Sequence, residues 1–111
     1  MEVWNKERAL TRLMGKAALL NQVVGIFLRQ LPERLADINN RFAESDWQGL
    51  RQAAHKLKGS AGEISAEVLF HHLQALEKAA IDNDATEASR QLSETTLAAN
   101  ELQPVLENEI S

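Results

Sequence analysis

The stretch Asp46 to Ile64, DWQGLRQAAHKLKGSAGEI, sets one imidazole among positive charges. His55 has Arg51 and Gln52 one turn before it and Lys58 one turn after. A neutral imidazole offers a nitrogen lone pair, and with a reference pKa of about 6.5 it is largely neutral near pH 7. Arg51 and Lys58 disfavour the imidazolium further and so keep that lone pair available. The Lys58 ammonium can also reach the outer edge of the ring, where it favours an anion that approaches or attaches there; phosphate is the candidate. Two glycines, Gly59 and Gly62, follow on the same side. A glycine inside a helix costs about 1 kcal/mol relative to alanine, so two of them beside an exposed histidine point to close approach by another molecule.

The exposure of His55 follows from helical periodicity. At about 100° per residue, Trp47, Leu50, Ala54, Leu57 and Ala61 fall within about 80° of one another and form a buried stripe. His55 projects about 130° from the centre of that stripe, towards water. From spacing alone, an idle surface histidine is an open alternative to a reactive one.

The run His55-Lys56-Leu57-Lys58-Gly59-Ser60-Ala61 resembles the H-x-L-K-G-(S/A)-(S/A) motif of the histidine-containing phosphotransfer (HPt) family. The resemblance implies that His55 is the phosphoacceptor, that Lys58 steadies the phosphoryl group and that Gly59 admits a partner. It also implies that a receiver domain brings the aspartyl phosphate and its own Mg²⁺, so that this chain binds no cofactor. His55 would take the phosphoryl group on Nε2, with Gln52 helping Lys58 and with Gly59 and Gly62 leaving room for the receiver's loops. Lys56 stands where a histidine kinase's dimerisation helix usually has an acid, and no nucleotide-binding region is present, so self-phosphorylation from ATP is not expected and the chain is read as a phosphotransfer intermediate more than an enzyme. The family often has an I-G-A run where this chain reads Ile64-Ser65-Ala66; Ser65 is read instead as a cap for the next helix. Further familial segments are A-L-x-R-L, F-L-x-x-L-P, D-W-x-x-L-x-x-x-A-H and Leu76-Glu77, so the resemblance covers nearly the whole chain. It implies the HPt domain of a bacterial hybrid sensor histidine kinase, with response-regulator receivers and other domains of the same kinase as partners. Two other functions are kept: the phosphoacceptor domain of a chemotaxis-type kinase, and a helical adaptor that is never phosphorylated.

The totals set the frame. A chain of 111 residues with 44% hydrophobic content supports one core, hence a single domain over residues 1–111. A net charge of −4 and the lack of a basic stripe argue against nucleic acid as the partner. There is no cysteine, which excludes disulfides and thiolate metal sites. No apolar run is long enough to span a membrane and the N-terminus lacks a secretion-signal core, so a cytoplasmic location is expected, or the cytoplasmic portion of a membrane-bound kinase. His71 with Glu67 at i−4 is the best metal pair, but no third ligand is evident and no metal site is expected.

These residues need rigid elements to position them. Few aromatics, many alanines and leucines and no strand-like alternation predict an all-α fold: an antiparallel up-down four-helix bundle with an additional short N-terminal helix. Asn5 caps the short helix, in which Leu10, Leu13 and Met14 share a face, and Gly15 ends it in the left-handed conformation. A long helix from about Lys16 to Glu44 stays in phase through Pro32, which predicts one kinked helix rather than two. In its first half Leu19, Val23 and Ile26 make a second apolar row, either covered by the first helix or left partly exposed as a docking surface. Ser45 or Asp46 caps the helix bearing His55. The fourth helix spans about Ala66 to Ala80, and Asp82-Asn83-Asp84 marks a turn. The fifth runs from about Ala85 towards Leu102, with Pro104 limiting how far it continues unbent and a frayed tail from Glu107 to Ser111. A monomer is expected, because no long exposed seam demands a second copy.

Overall fold

The computed structural model describes residues 1–110, which form five α-helices: α1 (Lys6–Arg12), α2 (Ala17–Ala43), α3 (Trp47–Glu63), α4 (Glu67–Ile81) and α5 (Ala85–Ile110). Helix α2 packs on α3, α3 on α4, α4 on α5 and α5 back on α2, which closes an antiparallel four-helix bundle, and α1 lies against α2. No strand occurs among the described residues. Each long helix turns its apolar stripe inward: Leu20, Val24, Phe27, Leu31 and Ile38 from α2, Leu50, Ala54, Leu57 and Ala61 from α3, Leu69, Leu73 and Leu76 from α4, and Leu92, Leu102 and Leu106 from α5 are all buried. Among the described residues no helix is long and apolar enough to cross a membrane.

One device makes all three connections of the bundle. Residues 44–46, 64–66 and 82–84 each place a non-glycine residue in the left-handed region: Ser45 at φ 54°, Ser65 at φ 59° and Asn83 at φ 52°. In each, the left-handed residue's N–H returns three residues (Ser45 to Phe42 O, Ser65 to Gly62 O, Asn83 to Ala80 O) and the next N–H returns five (Asp46 to Arg41 O, Ala66 to Ala61 O, Asp84 to Ala79 O). This is the Schellman arrangement, which satisfies the last free carbonyls of a helix. The following residue then starts the next helix. Asp46 accepts from Gly49 N at 2.9 Å and Asp84 from Glu87 N at 3.1 Å, whereas Ala66 has no side chain to do so. Ser65 is therefore not the cap expected of it: it is the left-handed residue itself, 4% exposed, with its hydroxyl buried and unpartnered. That conformation is one a glycine adopts without strain, which accounts physically for glycine in the corresponding I-G-A run.

Three more expectations are corrected. Met14 does not share the inner face of α1; it stands in the left-handed turn beside Gly15 and is 84% exposed, while Ala9 is the buried residue. Helix α5 does not end near Leu102; it continues through the exposed Pro104 to Ile110. The tail is helical to Ile110 rather than frayed, and Glu109 pairs with Lys6 of α1. Ser111 lies outside the described residues. Helix α2 does run unbroken through Pro32, as its phase required.

The N-terminal segment fastens the corner between α3 and α4. Trp4 Nε1 donates to Ile64 O at 2.7 Å, Asn5 N to Ser65 O at 3.0 Å, and Val68 N to Glu2 O at 3.2 Å. Carbonyls that a helix end leaves open are thus filled from the far end of the sequence.

Ser65→Gly should raise stability by about 1 kcal/mol, because relief of the left-handed strain and removal of the orphaned hydroxyl outweigh the added freedom of the unfolded chain. Urea unfolding of the two proteins measures it, and an unchanged or lower midpoint would show that neither strain nor orphan matters.

Candidate functional site

Helix α3 is buried along one side and bare along the other. Ala54 and Ala61 are fully buried, and His55, one residue past Ala54, is carried to the surface with its side chain 68% exposed. Its Nδ1 lies 2.7 Å from Glu77 Oε2 of α4. The other carboxylate oxygen, Oε1, accepts from Lys58 Nζ at 2.6 Å. Lys58 and Glu77 are largely shielded from water, at 19% and 14% side-chain exposure, while the imidazole remains open. Lys58 Nζ also stands 6.0 Å from the centre of the Phe70 ring, within cation–π range.

The state of Glu77 decides the chemistry of the ring. Burial pushes its pKa up, but hydrogen bonds and charge from Lys58 and His55 outweigh that and hold it below the ordinary glutamate value. A carboxylate only accepts, so at neutral pH Nδ1 must carry the hydrogen and donate it. In the neutral ring the lone pair then sits on Nε2, the nitrogen that faces outward.

The other expected site residues divide into three groups. Arg51 and Gln52 are exposed beside His55, and their side chains form no hydrogen bond or ion pair with described residues. Gly59 is exposed, and a Cβ built there would meet nothing within 4 Å, so no internal packing accounts for the glycine. Gly62 differs. A Cβ there would come 3.4 Å from two carbons of the Phe70 ring, in ordinary contact, so Gly62 stands against α4 rather than in open space. In the apolar row Leu19 is 39% and Ile26 45% exposed, with Val23 half-buried, so α1 leaves the row open. Val23 and Ile26 reach α3 across a shallow cleft of about 140 Å³ that Ser60 and Glu63 also line. His71 and Glu67 have separate partners: Glu67 accepts from Arg8 and from Glu2 N, and His71 stacks edge-on against His72.

Glu77 is the residue that sequence reading missed. Leu76-Glu77 was legible only as a familial pair, with no role attached. A signal was available: His55 and Glu77 are each eleven residues from Ala66, and Gly62 and Phe70 each four from it. In an antiparallel hairpin turning at Ala66 such pairs come level, and both are in contact here.

A helical bundle that presents one oriented, solvent-open imidazole beside a shielded lysine is suited to passing a charged group between partners. Residues 22–111 match the Hpt domain family, and the chain belongs to it. Membership places the chain in histidine phosphotransfer within two-component signalling, where such domains interact with the receiver domains of response regulators. Helix α1 and the first turn of α2, including Leu19, precede the matched stretch. No curated protein and no solved structure matches the chain.

Because the folded pKa of Glu77 is depressed, its bonds contribute stability that is present above the unfolded value near 4.5 and is lost as pH falls through the lower folded value. The wild type should therefore lose more stability than Glu77→Gln as pH drops through that window. Urea midpoints across it measure the difference, and a gap between the two proteins that does not change with pH would contradict the assigned charge.

Proposed function

We propose that this domain is a phosphorelay intermediate in which His55 accepts a phosphoryl group from a receiver-domain aspartate and passes it to another receiver. The observation that carries the reading is the His55–Glu77 bond, which leaves Nε2 as the free, outward-facing nucleophile on an exposed ring. The Nε2 lone pair attacks phosphorus, the P–N bond forms as the P–O bond to the aspartate breaks, and the electron pair leaves with the aspartate carboxylate. This chain contributes position and charge. Lys58 is close enough to turn from Glu77 towards phosphoryl oxygens, and Arg51 is an unpaired cation one turn away. The open surface at Gly59 and the row of Leu19, Val23 and Ile26 supply the face on which a receiver docks. The donor is a receiver within the same hybrid sensor kinase or a separate response regulator; its Mg²⁺ stays with it.

Incubation with a labelled phospho-receiver should move label to the wild type and not to His55→Gln, giving a product that is lost in acid and kept in alkali. Label arriving only from an ATP-loaded kinase catalytic domain would select the chemotaxis-type alternative, and receiver binding without any label would select the adaptor. Lys58→Ala should slow transfer by about 10- to 100-fold, in line with loss of one charged donor to a transferring group; a normal rate removes its assigned role.

Gly59→Glu should abolish receiver binding through bulk and charge while leaving the helix content unchanged, since nothing in the fold occupies that space. Titration calorimetry with a receiver reads this, and unchanged affinity would show that partners do not come close at Gly59.

A further inference from the structure

We propose that the cavity between α1 and the α3–α4 seam is a binding site for a small aromatic carboxylate. It contains none of the residues assigned to phosphotransfer at His55 and Lys58, and it stands whether or not His55 is a phosphoacceptor.

The cavity holds about 300 Å³, at the lower end of the range for small-molecule sites. Its lining divides by chemistry. Ala61 and Ala66, both fully buried, and the half-buried Phe70 give it an apolar side, to which Met1 adds a further apolar side chain. The polar side is drawn from two helices: Arg8 and Arg12, one turn apart on α1, and His71 and Gln74, three residues apart on α4.

These polar groups are little used within the protein. Arg12 and Gln74 form no hydrogen bond or ion pair with described residues, and His71 has only its edge-on ring contact with His72. Arg8 has one partner, Glu67, at 3.4 Å, which is long for a hydrogen bond. Glu67 is the single acid in the lining, and both its oxygens are engaged, one by Arg8 and one by Glu2 N. Two guanidiniums against one carboxylate leave the cavity net positive, on a chain of net charge −4.

An occupant has to match both sides. A guanidinium is a planar fork of donors that pairs with a carboxylate through two parallel N–H bonds, and Arg8 keeps free donors beyond the one that faces Glu67. The aromatic body of the ligand then covers Phe70 and the alanines and removes apolar surface from water. Inorganic phosphate would satisfy the arginines and leave the apolar side bare; a neutral hydrocarbon would do the reverse. The position gives occupancy a consequence. The Arg8–Glu67 pair ties α1 to α4, and a ligand held between Arg12 and Gln74 adds a second tie. His71 and Gln74 also line the adjoining hollow that contains Lys58 and Glu77, so the cavity lies next to the phosphotransfer residues without including them.

The test uses 2-naphthoate as the probe, titrated into the full chain and followed by amide ¹H–¹⁵N shifts. Saturable shifts should centre on Arg8, Arg12, Gly62, Phe70 and Gln74, with a dissociation constant of about 1 mM or below for a ligand of about 13 heavy atoms. The uncharged 2-naphthamide should bind about tenfold more weakly, and 2-naphthoate should lose about the same factor against Arg12→Ala. Arg12 is exposed and without a partner, so the variant should keep its helix content. Inorganic phosphate over the same range should give no saturable shift at Gly62 or Phe70. The inference is overturned by the absence of saturable shifts at these residues, or by shifts centred instead on Leu19 and Ile26. Equal affinity for the naphthamide, unchanged affinity of Arg12→Ala, or phosphate binding as tightly as 2-naphthoate would each overturn it as well.

Discussion

One carboxylate, that of Glu77, joins the two helices on which the site is built. It binds His55 through one oxygen and Lys58 through the other. Both bonds require α3 and α4 to lie close and in fixed register, and at Gly62 a Cβ would already be in contact with the Phe70 ring of α4. Tight packing on one face of α3 and exposure on the other are thus a single requirement. The packed face sets where Glu77 stands, and the bare face leaves the imidazole open to solvent.

The register is enforced by the connections. Three-residue Schellman turns allow no slack, and at the α3–α4 corner the turn is fastened from outside by Trp4, Asn5 and Glu2. Non-glycine residues at all three left-handed positions carry a strain of about 1–2 kcal/mol each. Asn83 tolerates it because asparagine visits that region readily, whereas Ser65 also buries a hydroxyl without a partner. The bundle offsets these costs by burying leucines along its whole length, down to Leu106 near the last turn.

Charge is distributed unevenly for a chain of net charge −4. Around His55 lie Arg51, Lys56 and Lys58, and the single acid among them is shared between His55 and Lys58. Elsewhere many ion pairs, such as Arg41 with Asp37 and Asp46 or Arg90 with Glu87, are exposed and contribute little. The apolar row of Leu19, Val23 and Ile26 runs along the α2 flank of α3. The surface around His55 therefore combines local positive charge with uncovered apolar surface on a chain of net negative charge.

The sequence by itself determined the helices, the inward stripe of each, the antiparallel bundle and the exposure of His55, since these follow from periodicity. It also revealed an apolar row on α2 without deciding its exposure. Only the tertiary structure decided that α1 leaves that row open, that the segment beyond Pro104 is held by Leu106 and Glu109, and that Ser65 turns the chain rather than capping it. Above all it decided that the partner of His55 is Glu77, 22 residues away. Periodicity tells which way a side chain points from its own helix, but which side chain it meets depends on how two helices are set against each other, and that is a property of the turn and the seam between them.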